Sequence, residues 1–218
     1  MRVDLLGPLR VWGRDGREVA VTGARLRGLM VLLALSAGRP VSTERIAGTL
    51  WTGEPPRSNT VQSLMSRLRS ALGDREAIEA RPDGYVLRAA DVDVQRFETL
   101  TDEARRCLEP QGDSARGSSA GVWLSPEPQA DSESEPAGGA RDFRGAAALL
   151  REALDLWRGE PDLIATVDDA ASTRLVLLRD DARVDLAEAE VALGNAAAVL
   201  PALREIAAAR PHRQRVHA

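Results

Sequence analysis

The amino-acid sequence predicts a mainly α-helical protein with a small amount of antiparallel β-structure. The fold class is a winged helix-turn-helix domain at residues 1–90, followed by a tetratricopeptide-like α-helical domain at residues 91–218. Three observations support this prediction. A polar amphipathic helix precedes a hairpin in the first half, helices with apolar residues three or four positions apart fill the second half, and the net charge changes sign between the halves.

Short segments in which apolar and polar residues alternate open the chain. They cover residues 3–5, 9–11 and 19–21, and Gly7-Pro8 and Asp15-Gly16 separate them as turns. Alternation with a period of two is typical of strands that have one buried face. We therefore expect a small antiparallel sheet at the N-terminus.

Three helices and a hairpin are predicted next. An amphipathic pattern over 24–37 is followed by a short helix that Ser42 or Thr43 caps. The third helix, at 59–72, follows a segment with two prolines and a glycine, which favour a loop. Two short strand segments then flank a turn at Pro82-Asp83-Gly84. Helix, helix, loop, helix and hairpin in this order indicate a winged helix.

The third predicted helix has two contrasting faces. Val61, Leu64, Leu68 and Leu72 recur at spacings of three, four and four, so this narrow stripe can pack inward. The opposite face carries short polar side chains and arginine, where a solvated helix would more often carry glutamate. Short side chains allow close approach to phosphates and base edges, and a guanidinium group can contact phosphate or pair with guanine. We therefore predict that this helix lies against DNA.

The formal net charge of -4 is unevenly distributed. Residues 1–90 carry 14 arginines and 9 acidic residues, a balance of +5, whereas residues 91–218 carry 15 arginines and 24 acidic residues, a balance of -9. This division favours an electropositive domain that faces nucleic acid, joined to an acidic domain. Chance clustering of surface charge is the alternative explanation.

Helical patterns in the second half flank a segment of different composition. A helix is predicted over 94–108, whereas residues 109–140 are rich in Gly, Ser, Pro, Ala and acidic residues, and we expect a disordered insert there. Helical spacing returns at 143–157, 175–193 and 199–206. These helices fit antiparallel hairpins of the tetratricopeptide type, and the spacing by itself would also fit any helical bundle.

Residue usage argues against several classes of function. Cys107 is the single cysteine and no Cys/His cluster exists, so we expect neither an internal disulfide nor a metal site. His212 and His217 have no nucleophile beside them, and no GxxxxGK[ST] loop is present, so we predict neither an enzyme nor a cofactor. No signal peptide or membrane span is recognisable. We expect a cytoplasmic protein that associates with the nucleoid and not with a membrane.

A series of short motifs runs through the chain outside the predicted insert. They are Val3-Asp-Leu-Leu-Gly-Pro-Leu9, Ala24-Arg-Leu-Arg27, Ala37-Gly-Arg-Pro-Val-Ser42, Leu50-Trp51, Pro55-Pro56, Ser66-Arg-Leu-Arg69, Ala71-Leu-Gly73, Arg81-Pro-Asp-Gly-Tyr85, Phe97 and Leu149-Leu-Arg-Glu-Ala-Leu-Asp-Leu-Trp-Arg-Gly159. Each motif is short, but their combination and order resemble the Streptomyces antibiotic regulatory protein family.

The resemblance implies an OmpR-like winged helix followed by a bacterial transcriptional activation domain. Its members activate pathway-specific biosynthetic gene clusters. We expect this protein to bind direct repeats of double-stranded promoter DNA as a homodimer. The loop at 51–57 corresponds to the segment that faces RNA polymerase in relatives, with Thr52, Glu54 and Arg57 as contact candidates. A plain connector is the alternative for this loop.

Two departures from the family pattern are visible. The insert at 109–140 separates the helices of the second domain more widely than is usual in the family. Family members continue into further helices beyond the position of Ala218, so we expect the helical domain to be incomplete. Either its last helices need a partner, or the chain is a shortened form of a longer regulator.

The resemblance places the third helix in the major groove of DNA. The contact candidates on it are Asn59, Thr60, Ser63, Ser66 and Arg67. Arg67 is the candidate for a base edge, because one bidentate pair with guanine discriminates between bases by about 1–3 kcal/mol.

Four further arginines are candidates for DNA contact. Arg69 lies about 200° round the helix from Arg67, so we assign it to a phosphate or to an internal acid. Arg81 precedes the hairpin turn, where it can reach the minor groove or a flanking phosphate, or remain a solvated arginine. Arg25 and Arg27, near the start of the first helix, are phosphate candidates.

The large rings of Trp51 and Tyr85 are expected in the core rather than against bases. Two functions then compete. The first is a sequence-specific transcriptional activator that binds DNA and recruits RNA polymerase. The second is a protein-binding adaptor, in which the helical domain holds a partner and the winged helix has lost its affinity for DNA.

Overall fold

The computed structural model describes residues 1–51, 58–89, 91–110 and 141–197. Its elements are β1 (Arg2–Asp4), β2 (Arg10–Trp12), α1 (Ala24–Leu35), α2 (Thr43–Leu50), α3 (Ser58–Leu72), a 3-10 turn (Arg75–Ala77), β3 (Ile78–Arg81), β4 (Gly84–Leu87), β5 (Asp91–Val92), α4 (Asp93–Leu108), α5 (Phe143–Asp155), α6 (Asp162–Val167) and α7 (Asp169–Ala192). The part of the chain given by these ranges is therefore mainly helical with two small sheets, as the sequence predicts.

The N-terminal sheet has three strands, and one of them differs from the prediction. β1 pairs antiparallel with β2, with Val3 opposite Val11. The predicted strand at 19–21 is reduced to a single bridge between Trp12 and Glu18. The third strand of the sheet is instead β5, which pairs parallel with β1 on the edge opposite β2, so the order is β2-β1-β5. A parallel partner distant in the sequence leaves no hairpin signal, so local alternation could not reveal it.

The first three helices form the core of the winged helix. α1 is two residues shorter than predicted and buries Leu29, Met30 and Leu33 almost completely. α2 begins after Ser42, whose side chain accepts a hydrogen bond from the Arg45 N–H at 3.1 Å. The predicted cap is therefore confirmed, because a serine oxygen satisfies one of the free N–H groups at the helix start.

The wing is a two-stranded antiparallel hairpin in which Ile78 lies opposite Leu87. It turns at Pro82-Asp83, as predicted. Val41 and Tyr85 exchange two backbone hydrogen bonds, of 2.9 and 3.0 Å, so the wing is attached to the segment before α2. Gly84 makes this contact possible: its φ is +141° and a side chain there would overlap the Val41 carbonyl.

The second half is built from α4, α5 and α7, which pack side by side around Phe97, Leu150 and Leu175. α7 begins earlier than predicted, at Asp169, because Asp168 caps it by accepting the Ala171 N–H at 2.9 Å. The short α6 is not foreseen by the sequence pattern and packs against α1 of the first half.

Three predicted segments fall on residues that are not described here. The loop at 52–57, nearly all of the insert at 109–140 and the helix at 199–206 lie outside the described residues. Within the described ranges, none of the helices has the length and apolar character that a membrane span requires.

Candidate nucleic-acid interface

The inward face of α3 holds the helix against the rest of the winged helix. Val61, Leu64, Leu68 and Leu72 are each buried, with exposed fractions of 2, 6, 0 and 5%. Met65 joins them at 1% exposure, although the predicted stripe omitted it. At 100° per residue, Met65 falls between Leu72 and the side of the helix that carries Arg69, so it widens the buried stripe.

The outward face of α3 is polar and carries no carboxylate group. Its exposed side chains are those of Asn59, Gln62, Ser63, Ser66, Arg67 and Ser70, whereas that of Thr60 is half-buried at the edge of the face. Within the described residues, no part of the second half of the chain covers these positions. A face of this shape and chemistry can approach a polyanion closely, because it presents short side chains and no competing negative charge.

The sequence-based list of contact candidates omitted two of these residues. Gln62 and Ser70 lie on the same exposed face as Ser66. Their spacing of four from Ser66 would have found them, since residues four apart on a helix are neighbours on its surface. A glutamine amide can pair with the edge of adenine, which makes Gln62 a candidate for base contact equal in chemistry to Asn59.

Arg67 projects from α3 beside the start of α1. The two helices line a shallow groove of about 420 Å³, to which Arg25 and Arg67 contribute the charged side chains and Gly23, Ala24 and Leu64 contribute the floor. Neither Arg67 nor the exposed Arg27 has a carboxylate partner within the described parts of the chain. The guanidinium of Arg25 lies over the ring of Trp51, 5.5 Å from its centroid.

Arg69, which we predicted to contact a phosphate or an internal acid, is half-buried and binds within the protein. Its Nε and Nη2 atoms donate hydrogen bonds of 3.1 and 2.8 Å to the carbonyl oxygen of Ile78. The partner is a backbone carbonyl and not the internal acid that the sequence suggested. Because two of its donors already serve this contact, we leave Arg69 out of the DNA surface.

Arg81 lies at the tip of the wing in a local ion-pair network. Its Nη2 donates to Glu79 at 3.1 Å, and Arg88 donates to the same carboxylate oxygen at 3.0 and 2.8 Å. Hydrogen bonds from Arg88 and Arg81 lower the pKa of the Glu79 carboxyl. Arg81 is exposed and paired in this structure, which matches the solvated-arginine alternative. To reach a phosphate it would have to exchange Glu79 for that phosphate.

Trp51 and Tyr85 pack against the hydrophobic core with part of each ring exposed, as expected for core residues. Thr52, Glu54 and Arg57, the candidates for polymerase contact, lie outside the described residues. Among the described side chains, no group of three His, Cys, Asp or Glu residues is arranged to hold a metal ion.

Two family models match the chain. Residues 16–87 match the model described as "Transcriptional regulatory protein, C terminal", and residues 128–218 match the "Bacterial transcriptional activator domain". The first contains α1, α2, α3 and the wing; the second contains α5, α6 and α7. The chain carries a transcriptional regulatory C-terminal domain followed by a bacterial transcriptional activator domain, the two domains that the resemblance to the Streptomyces antibiotic regulatory protein family implies.

Two regulatory proteins from Streptomyces are similar to nearly the whole of this chain. Regulatory protein AfsR of Streptomyces coelicolor is 30% identical over 99% of this chain, and regulatory protein DnrI of Streptomyces peucetius is 29% identical over 97%. The chain spans only 19% of that AfsR and 72% of DnrI. Both relatives are named as regulatory proteins, and both family models describe domains of transcriptional regulators. The prediction that the chain is not an enzyme is confirmed on that ground.

A solved structure supports the fold class. Mycobacterium tuberculosis EmbR, in complex with a low affinity phosphopeptide, superposes with a TM-score of 0.75 at 26% sequence identity. The match covers 99% of this chain and 52% of that chain. The prediction of a winged helix followed by a tetratricopeptide-like helical domain is therefore confirmed.

Proposed function

We propose that this chain is a sequence-specific DNA-binding transcriptional activator that inserts α3 into the major groove. The observation that carries this proposal is the outward face of α3, which is exposed, free of carboxylates and supplied with an arginine that has no ion-pair partner among the described residues. The match to two domains of transcriptional regulators supports it. The site of action would be the nucleoid in the cytoplasm.

Arg67 is assigned to a base edge and the short side chains beside it to bases and sugars. Asn59, Ser63 and Ser66 share the exposed face, and Thr60 borders it. Ser and Thr hydroxyls and amide groups contact bases or phosphates at close range, whereas arginine reads guanine by a bidentate pair. This division makes Arg67 the main source of discrimination between sequences.

Arg25 and Arg27 are assigned to the DNA backbone. Arg25 lines the same groove as Arg67, and Arg27 is exposed on α1 close by in sequence. Cations beside a recognition helix position it by neutralising phosphates, and they read no sequence themselves. Arg81 joins this group only if DNA displaces Glu79 from it.

The resemblance extends the proposal to partners and targets. The activator would bind direct repeats as a homodimer and contact RNA polymerase through Thr52, Glu54 and Arg57 and through the helical domain. Its target would be a biosynthetic gene cluster, for secondary metabolites such as antibiotics. These assignments rest on the family and not on contacts within the described residues.

The test is a fluorescence-anisotropy titration of the full chain with duplexes selected from a randomised pool. The selected duplex is compared with a scrambled one over a series of salt concentrations. The log of the binding constant should fall linearly with the log of salt, with a slope of about 0.9 for each phosphate neutralised. Arg67→Ala should cost about 1–3 kcal/mol on the selected duplex and relax preference at one base pair.

Two variants provide the controls. Arg25→Ala should weaken binding to both duplexes alike. It should also reduce the slope of the salt dependence by the amount that corresponds to about one phosphate contact. Arg106→Ala removes the same charge from α4, where the described contact of Arg106 is a hydrogen bond to the Asp102 carbonyl of its own helix, and should leave affinity unchanged. If the protein binds the selected and scrambled duplexes equally well, and Arg67→Ala does not change either affinity, the activator hypothesis is rejected and the protein-binding adaptor is favoured.

A further inference from the structure

Two of the motifs that carry the family resemblance meet at the junction of the two halves. The first is the Leu5–Pro8 segment after β1, and the second is Trp157-Arg158-Gly159 after α5; we call their contact the seam. The Arg158 N–H donates to the Leu6 carbonyl at 2.7 Å, and Nη1 of Arg158 donates to the Pro8 carbonyl at 3.0 Å. Gly7 has a φ of +135°, and an added Cβ would lie 3.1 Å from Cβ of Arg158. The two segments are thus in direct backbone contact.

The Arg158 side chain also lies between two carboxylates of different origin. Its Nε is 3.8 Å from Asp4 at the end of β1, and its Nη2 is 3.6 Å from Asp93 at the start of α4. Asp93 in turn accepts the N–H groups of Leu5, at 2.7 and 2.8 Å, and of Leu6, at 2.9 Å. The side chains of Asp4 and Asp93 are only 12 and 5% exposed, so little water screens their charges.

Arg158 is the cation that Asp4 and Asp93 share, and Asp4 is paired with Arg2 as well, at 3.3 Å. Without the guanidinium, Asp93 would lose the ion pair that the described residues give it, in a poorly solvated place where the charge of Asp4 acts against its own, which is unfavourable. The Arg158 guanidinium donates a hydrogen bond to the Pro8 carbonyl and also lies at ion-pair distance from both carboxylates, so a single group contacts three sites at once. A residue that only filled space could not do this.

Besides the pairing of β5 with β1, a further contact between the halves follows the seam along the chain. Trp157 packs edge-to-face on Phe97 of α4, with ring centroids 5.4 Å apart and planes at 85°. After Gly159 the chain enters α6, which packs on α1 of the winged helix. Asp168, at the end of α6, lies 3.6 Å from Arg45 of α2. The path from Arg158 to α6 is short, so the direction of the chain at the seam sets where α6 docks.

We propose that Arg158 is a positioning residue, which holds the helical half in one orientation on the winged helix and so fixes the direction in which that half projects from α3. The fixed orientation is a property of the free protein. Its consequence for transcription rests on the proposed function, because it determines where the helical half lies when α3 is on DNA.

Distance measurement by electron paramagnetic resonance tests the orientation directly. Spin labels are placed at Ser70→Cys on α3 and Ala148→Cys on α5, two exposed positions, in a Cys107→Ala background. The unaltered seam should give one narrow distance distribution. In Arg158→Met the narrow peak of the distance distribution should be lost. Arg158→Lys keeps the positive charge but lacks the planar guanidinium, and it should show a narrow peak of intermediate height.

The controls separate orientation from stability. All variants are measured at a temperature where circular dichroism shows them folded, and Arg106→Met makes the same chemical change on the surface of α4 without loss of the peak. If Arg158→Met does not fold, Arg158→Lys carries the comparison by itself, with a broadened peak expected. A distribution in folded Arg158→Met or Arg158→Lys that superposes on that of the unaltered protein overturns the proposal, as does a broad distribution in the unaltered protein.

Transcription in vitro supplies the functional readout. On a promoter that contains the selected duplex, Arg158→Met should bind DNA as the unaltered protein does but lower the transcript yield about tenfold, a size of effect typical of coupling between sites. If the DNA titration rejects the activator, the distance measurement still decides the role of Arg158. The two proposals can therefore fail separately.

Discussion

The Arg69 guanidinium donates two hydrogen bonds to the carbonyl oxygen of Ile78, at 3.1 and 2.8 Å, and so ties α3 to the first residue of the wing. The same group lies 6.0 Å from the ring centroid of Tyr85. α3 and the wing are therefore held together by a half-buried side chain at the edge of the outward face of α3. The wing is fixed a second time by the exchange of hydrogen bonds between Val41 and Tyr85.

Arg69→Met should lower the free energy of unfolding by about 1–3 kcal/mol, because it leaves the partly buried Ile78 carbonyl without its donors. Urea unfolding followed by circular dichroism measures this. Arg67→Met, on the exposed face of the same helix, should change stability by no more than about 0.5 kcal/mol. Equal stability of the two variants would show that the Arg69 hydrogen bonds contribute nothing.

Gly84→Ala should destabilise the wing by about 2 kcal/mol or more, because it adds steric overlap with the Val41 carbonyl to the strain of a positive φ. Thermal unfolding measures the loss. Gly16→Ala is the matched control, since Gly16 also has a positive φ, of +75°, but has nothing within 4 Å of an added Cβ. Its cost should be about 1–2 kcal/mol, that of the backbone conformation. A larger loss in Gly16→Ala than in Gly84→Ala would contradict this account.

Asp93 should make stability depend on pH in the direction opposite to most surface carboxylates. Burial raises its pKa to about 6 from 3.8, against the hydrogen bonds from Leu6 and Leu5 that lower it. The folded protein then retains a proton in the window between these values that the unfolded chain has released. The contribution of the Asp93 proton to the free energy of unfolding is therefore fully present below a pH of about 4. It is lost as the pH rises to about 6, and the full change amounts to about 3 kcal/mol.

Urea titrations across and above this pH window, on the unaltered protein and on Asp93→Asn, isolate that contribution. The difference in unfolding free energy between the two should change with pH up to about 6 and be constant above it. Asp4, whose pKa is also raised by burial, acts in the same direction and remains in both proteins. A difference that does not vary with pH would show that Asp93 titrates as an ordinary aspartate.

The two faces of α3 should separate stability from DNA binding. Leu68→Ala removes a side chain with no exposed surface and should cost about 2–5 kcal/mol of stability. Ser66→Ala, on the exposed face, should change stability by less than about 0.5 kcal/mol while weakening binding to the selected duplex. Calorimetry and anisotropy on the same samples check this. A Ser66→Ala protein that is destabilised but binds normally would place Ser66 in the core and not on the DNA face.

The sequence predicted local features well where a periodic pattern and a punctuating residue coincided. The Ser42 cap, the stripe on α3 and the turn at Pro82-Asp83 are of this kind. The short α6 escaped prediction because six residues are too few for a helical period to show. The strand at 19–21 was predicted wrongly: the Val19 N–H donates to the Val11 carbonyl of β2 at 2.8 Å, but no strand continues beyond that contact. Alternation reports a half-buried segment and does not say how far its pairing with a neighbouring strand extends.

The sequence by itself determined which side chains share a face, because the helical and strand periods convert local order into surfaces. That was enough to place Arg67 and Ser66 on one polar face and Leu68 on the opposite one. Only the tertiary structure decided which polar groups are already bound within the protein. Asp93 caps the Leu5 N–H from 88 positions away, and Arg69 reaches the carbonyl of a following strand. Contacts of this kind depend on how distant segments pack, which no local pattern records.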